Sequence, residues 1–144
     1  MECVIFIGIQ ASGKSTFYKE KFYDTHVRIN LDMLKTRHRE HIFVDASINA
    51  KQPFVIDNTN STKTDRQKYM DAARSQQFKV TGYYFEPNLE ESMARNDKRS
   101  QGKVPLPGLR STLRKLQKPD FDEGFDQLYS VRIVDGVFTV SEWT

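Results

Sequence analysis

The sequence predicts an α/β protein of three layers, α/β/α, built on a mainly parallel sheet of five strands with a basic lid. Three observations predict it. Apolar runs rich in branched or aromatic residues, CVIFIGI, HVRINL, PFVIDN, FKVTGYYFE and YSVRIVDGVFTV, alternate with longer polar stretches of helical spacing. A glycine-containing segment, GIQASGKST, follows the first run directly, and a basic, proline-containing arm interrupts the alternation once. Strand and helix in alternation call for parallel pairing with helices on both faces. In such sheets a site forms beyond the carboxyl ends of the strands, so the residues just after each apolar run are the candidates.

The elements follow in order. CVIFIG reads as a buried strand, and Cys3, the single cysteine, as a core thiol without chemistry. STFYKEKFY has helical spacing. The strand HVRINL leads into one long helical stretch, LDMLKTRHREHIFVDASINAKQ. PFVIDN is the third strand, TKTDRQKYMDAARSQQ a helix, FKVTGYYFE the fourth strand and NLEESMARNDKRS a further helix. Ser100 to Pro119 is basic, holds three of the five prolines and has no acidic residue. It reads as an arm or lid with a short helix near Leu109 to Leu116, or else as a solvated basic loop. YSVRIVDGVFTV completes the sheet as its fifth strand. One domain is expected over residues 1–144, with the arm at about 95–119.

Lysine and arginine number 22 against 19 acidic residues, for a net charge of +3 and a pI near 9.0. The slight excess suits an anionic partner without requiring one. No apolar run approaches the roughly 18 residues of a membrane helix, and no basic leader precedes the first strand. The expectation is a soluble protein of the cytoplasm or another reducing compartment, without a membrane partner.

GIQASGKST matches GxxxxGK[ST], the phosphate-binding loop. Gly8 and Gly13 permit the backbone angles that turn amide N–H groups inward around a phosphate. Lys14 adds a cation for the β and γ phosphates, and the Ser15 hydroxyl suits Mg²⁺. Gly8, Ala11, Ser12, Gly13, Lys14, Ser15 and Thr16 therefore form the nucleotide-binding set, at the positive end of the following helix. The chain contains no Asp-x-x-Gly and no Asn-Lys-x-Asp, so a GTPase reading lacks its switch and guanine contacts.

The remaining candidates lie after the next strands. Asp32 follows VRINL and suits a general base for an acceptor hydroxyl, although the same position suits a helix N-cap. Lys35, Thr36 and Arg39 fall three, four and seven residues after it, on one face if the helix is continuous. Asp57 follows the third strand, where an acidic residue can hold Mg²⁺ or its water. Asn58, Thr59 and Asn60 then offer neutral groups to an acceptor, or a turn and helix cap. In MARNDKRS, Arg95 and Arg99 lie four apart with Lys98 beside them, as a phosphate clamp on a lid or as a solvated helix face.

Together GIQASGKST, RINLDML, VIDNTN, MARNDKR, KVPLPGLRSTLRKL and KPDFDEGFD resemble the kinase module of polynucleotide 5′-hydroxyl kinases, including the bifunctional kinase–phosphatases of phage and eukaryotic nucleic acid repair. The resemblance implies a P-loop NTPase-type kinase fold, ATP as phosphoryl donor and Mg²⁺ as cofactor. It implies that Asp32 is the general base on a 5′-hydroxyl, that Lys14 and Ser15 bind the ATP phosphates and Mg²⁺, and that Arg95 and Arg99 are lid arginines on the phosphates. VIDNTN is similar to the eukaryotic version, whereas the phage version has its acidic residue one position later, where Asn58 stands. Lys35 stands where the phage type has an arginine that binds the acceptor's phosphate; lysine keeps the charge and loses the fork. The implied partners are 5′-hydroxyl ends of RNA or DNA, with a repair phosphatase or ligase in trans. Two other readings compete: a kinase of a nucleoside, sugar or nucleotide sugar, and a non-catalytic nucleotide-binding partner of a repair complex.

Overall fold

Strand β1 (Glu2–Ile7) carries five consecutive apolar residues, a pattern suited to a strand covered on both faces. Cys3 to Ile7 are all completely buried in the computed structural model, which describes residues 1–144. β2 (Val27–Ile29), β3 (Phe54–Ile56), β4 (Lys79–Phe85) and β5 (Gln127–Val134) join it in parallel, and β6 (Val137–Glu142) pairs with β5 antiparallel. The order β2-β3-β1-β4-β5-β6 places the topological switch beside β1, where the chain leaves the sheet into the glycine-containing loop.

The alternation of side chains along β1 divides the core in two. Cys3, Ile5 and Ile7 pack with Val44 and Ile48 of α3 (Arg37–Asn49) and with Tyr69, Met70 and Ala73 of α4 (Lys63–Ser75). Val4 and Phe6 pack on the opposite face with Phe17 and Tyr18 of α1 (Lys14–Lys21), Phe22, Phe85 and Val131. On that second face Phe6, Phe17 and Phe85 meet edge to face at 5.2–5.7 Å between ring centroids. Such pairs add about 0.5–1.5 kcal/mol each beyond area burial.

Three expectations change. The sheet has six strands, because the expected fifth strand turns back on itself at Asp135 and Gly136. Their φ angles of 51° and 77° are those of a two-residue hairpin turn, and Val134 and Val137 pair directly across it. The long helix after β2 is two helices, α2 (Leu31–Leu34) and α3, broken at Lys35 with φ 75°. Asn30 caps α2 through its bond from Met33 N, and Thr36 caps α3 through its bond from Arg39 N. Asp32 is thus in the first turn of α2 and is not its cap. Finally, α5 (Leu89–Asp97) stops before Arg99, so Arg95 and Arg99 do not share a helical face.

The basic arm is pinned to the body. Its helix α6 (Leu106–Lys115) buries Leu109, and Gln117 N donates to Ser61 O at 2.7 Å. Arg66 of α4, fully buried, donates to both carboxylate oxygens of Glu123 at 2.9 and 3.1 Å and to the carbonyls of Asn60 and Gln117. One guanidinium therefore ties the segment after β3, the end of the arm and the short 3-10 turn Phe121–Glu123. Removing one member of a buried pair strands the other charge in a poor solvent, at a cost of about 3–5 kcal/mol. Glu123→Ala is expected to lose about that much in urea unfolding. A loss below about 1 kcal/mol would assign the pair the weight of a surface bridge.

Candidate active site

The carboxyl ends of β1, β2 and β3 open into a cleft of about 480 Å³. Its floor is the loop Gly8 to Thr16. Gly13 has φ 94°, a conformation that favours glycine, and a Cβ there would lie close to the side-chain ends of Ile133 and Phe138, at 3.0 and 3.1 Å. Gly8 N donates to Thr59 O at 3.0 Å, whereas the N–H groups of Ser12, Gly13, Lys14, Ser15 and Thr16 donate to no protein acceptor. These amides and the start of α1 form a cradle for an anion. Lys14, itself buried, donates to the carbonyls of Gly8 and Ile9 at 3.1 and 2.7 Å.

Beside the cradle, the buried Asp57 carboxylate accepts from the Ser15 hydroxyl at 2.9 Å. The same oxygen accepts from Arg28 Nε at 2.8 Å, and a terminal nitrogen of Arg28 donates to Ser15 Oγ at 3.0 Å. Asn58 turns the other way, accepting from Leu31 N at 2.8 Å and donating to Glu40 at 2.9 Å. It is therefore Asp57, and not Asn58, that meets Ser15. No cluster of three or more acidic, histidine or cysteine side chains is present. A hydroxyl and one carboxylate fit Mg²⁺, which takes few protein ligands and fills its shell with waters and phosphate oxygens. Ser15 and Asp57 are the residues that would hold it.

The opposite wall carries Asp32, whose carboxylate has no hydrogen-bond partner in the protein and faces the cleft. Its helix is held by Asn58 and, through it, by a buried cluster. Glu40 accepts from Asn58, from Tyr69 OH at 2.8 Å and from Arg37 at 3.0 Å. Burial pushes the Glu40 carboxyl up, but the three hydrogen bonds outweigh it and hold it below the usual carboxylate range. Arg37 lines the cleft. Lys35 and Arg39, expected on the acceptor side, do not: the break at Lys35 turns both away, and Arg39 donates to Leu34 O. Thr59 lines the cleft. Asn60 also borders it, yet its amide donates inward to Phe6 O at 2.8 Å and Ile56 O at 3.4 Å, which makes it a structural tie between strands.

Arg95 reaches across to the loop, donating to Ala11 O at 3.1 Å, and Arg99 lines the cleft beside it with a bond to Gly102 O. Residues that sequence reading missed are Arg28, Arg37 and Gln10, whose amide donates to Thr112 of α6 at 2.9 Å. Arg28 had one visible signal, a charge inside an apolar strand run.

A parallel sheet with this switch point, a phosphate cradle after β1 and a clamp of arginines define a P-loop domain of the kinase type, which binds ATP. The AAA domain family model (AAA_33) matches residues 3–119, and the chain belongs to that family. It is 28% identical over 137 residues to the bifunctional polynucleotide phosphatase/kinase of Schizosaccharomyces pombe. That match covers 90% of this chain and 33% of the yeast protein, so the chain spans about a third of the relative's length. In fold it is similar to a gluconokinase from Sinorhizobium meliloti, with a TM-score of 0.64, 16% identity and coverage of 93% of this chain and 83% of that one. It is likewise similar to Kti12 of Chaetomium thermophilum in complex with ADP-AlF3, with a TM-score of 0.65, 14% identity and coverage of 90% and 88%.

Lys14 sets a pH dependence. Burial lowers its affinity for a proton, Asp57 and Asp32 oppose the effect and Arg99 assists it, moving the ammonium from 10.5 to about 8. Between those two values the unfolded chain holds more protons at this site than the folded one, so this group makes stability rise with pH across that window. Phosphates favour the charged form, so nucleotide binding has the opposite sign and draws a proton in. ATP affinity is expected to fall as pH rises above about 8. Titration calorimetry at pH 9 in buffers of different ionisation enthalpy should show proton uptake in the native protein and none in Lys14→Met.

Proposed function

We propose that this domain transfers the γ-phosphoryl group of ATP to the 5′-hydroxyl end of RNA or DNA. The observation that carries the reading is the free Asp32 carboxylate, facing the phosphate loop with Arg37 on the same cleft wall. A hydroxyl acceptor requires a base, and an acceptor with its own phosphate requires a cation near that base. The likeness to the yeast phosphatase/kinase supports a polynucleotide acceptor, and the basic arm supplies positive charge beside the cleft.

In this reading the loop amides and Lys14 hold the β and γ phosphates of ATP, and Arg95 and Arg99 spread their charge over the transferring group. Ser15 and Asp57 would hold Mg²⁺, which would supply positive charge to offset the charge that develops on the phosphates. Asp32 accepts the proton of the 5′-hydroxyl as its oxygen attacks the γ-phosphorus, and ADP leaves. Arg37 orients the acceptor through its first phosphate, the role that the family resemblance implies for Lys35. A repair phosphatase or ligase acting in trans belongs to the same proposal.

Asp32→Asn is expected to lower phosphoryl transfer by about 10²–10⁴-fold while leaving ATP binding within a few-fold. Labelled ATP, 5′-hydroxyl RNA and DNA, and gluconate as competing acceptor class test this together. Label on gluconate alone would overturn the acceptor assignment in favour of a sugar kinase. Arg37→Ala is expected to raise the KM for oligonucleotide with little change in the KM for ATP, and that KM should climb steeply with salt.

A further inference from the structure

Arg28 has no part in the phosphoryl transfer just described, yet it lies within the metal-holding pair. It projects from the short strand β2, next to β3 in the sheet, with Arg28 in register with Val55, two residues before Asp57. Its Nε is 2.8 Å from Asp57 Oδ2 and one terminal nitrogen is 3.0 Å from Ser15 Oγ, while Ser15 Oγ is 2.9 Å from the same Oδ2. The Ser15 proton is committed to Asp57, and one of its lone pairs is taken by Arg28. A single guanidinium thus engages both oxygen donors that a divalent cation would use.

We propose that Arg28 is a built-in cation that holds the Ser15–Asp57 pair closed to free divalent metal, so that metal enters only with a nucleotide whose phosphates occupy the loop. The inference rests on the phosphoryl-transfer reading of this cleft. A divalent ion on Ser15 would lie within a few ångströms of the guanidinium charge, where repulsion is weakly screened. Asp57, almost wholly buried, is already neutralised by Arg28 and attracts a second cation less than a bare carboxylate would. A polyphosphate in the loop reverses the balance, since it adds negative charge and oxygen ligands at the same point. Arg28 is 28% exposed at its side chain and so has room to swing toward solvent when this happens. Metal and nucleotide then bind with positive coupling, and the resting protein does not collect metal that would occupy the phosphate cradle.

The test needs neither acceptor nor turnover. Binding of Mn²⁺ is read from the electron paramagnetic resonance signal of the free ion, with and without ADP, for the native protein, Arg28→Gln and Arg28→Lys. Without nucleotide, Arg28→Gln is expected to bind Mn²⁺ about 5–150-fold more tightly than the native protein, and Arg28→Lys to stay near native. The tightening produced by ADP should shrink by the same factor in Arg28→Gln, because the coupling is reciprocal. Equal Mn²⁺ affinity in the native protein and Arg28→Gln would overturn the proposal. So would weaker binding in Arg28→Gln, which would make Arg28 a support for the Asp57 site. Should Arg28→Gln fail to fold, Arg28→Ala is read in its place with the same two outcomes, and every measurement with ADP is set against ADP and Mn²⁺ without protein. Failure of the acceptor assay leaves these outcomes intact, and the reverse also holds.

Discussion

Two hydrogen bonds between neighbouring strand ends, Gly8 N to Thr59 O and Asn60 Nδ2 to Phe6 O, hold the cleft together. They fasten the exit of β1 to the exit of β3, so the phosphate loop and the Asp57–Asn60 segment meet although they lie far apart in sequence. Everything on the donor side follows from that staple. Ser15 reaches Asp57 across 42 residues, and Arg28 enters from the next strand over. Asn60 takes a φ of 45° to make its bonds, a conformation asparagine tolerates better than most residues. Its carbonyl is in turn gripped by Arg66, which joins the cleft floor to the arm.

The cleft concentrates charge in a way that folding alone would not select. Lys14, Arg95, Arg99 and Arg37 converge on a volume with two facing carboxylates, Asp32 and Asp57. Desolvating a lysine until its proton is loosened costs stability, and so does leaving loop amides without protein acceptors. Such local conflicts mark functional sites, where binding of an anion relieves what the empty fold leaves strained. The wall that carries Asp32 is built on the opposite principle. There Glu40, Tyr69, Asn58 and Arg37 satisfy one another, and the product of that cluster is a rigid seat for the short helix that carries Asp32.

What the sequence disclosed and what it hid follow from distance along the chain. GIQASGKST is contiguous, so its residues are neighbours in sequence and in space. The alternation of strands and helices is equally local, and so is the Asp-Gly pair at 135–136, a hairpin signal that was present and gave the sixth strand. The break at Lys35 was hidden because Lys-Thr-Arg is compatible with helix. Only Thr36 as a cap hinted at a new start, and its side chain reveals that role once the backbone is seen. After the break it is Arg37 that lines the cleft, and not Lys35 or Arg39. The partners of Arg28 and Gln10 were illegible for another reason: Asp57 and Thr112 lie 29 and 102 residues away, and no local pattern encodes such a pairing, although Arg28 itself stood out as a charge in an apolar run.

The arm combines a fixed part and a looser one. Helix α6 is held at its end by Gln117 and Arg66, in its middle by Gln10 and Thr112, and on its inner face by the buried Leu109. Ahead of it, Asn96 closes a bracket with Val104 by donating at 2.7 Å and accepting at 2.9 Å. Between those bracket ends the Arg99 side chain donates only to Gly102 O, and Gly102 has φ 72° with open space where a Cβ would stand. Arg95, by contrast, stands on α5 and already contacts the phosphate loop. Arg95 is therefore already set against the loop, and Arg99 is carried by a short segment held by few hydrogen bonds. Arg99 is thus the less tied of the two arginines, whereas the phosphate loop and the wall that carries Asp32 are each fastened by hydrogen bonds to the segment that follows β3.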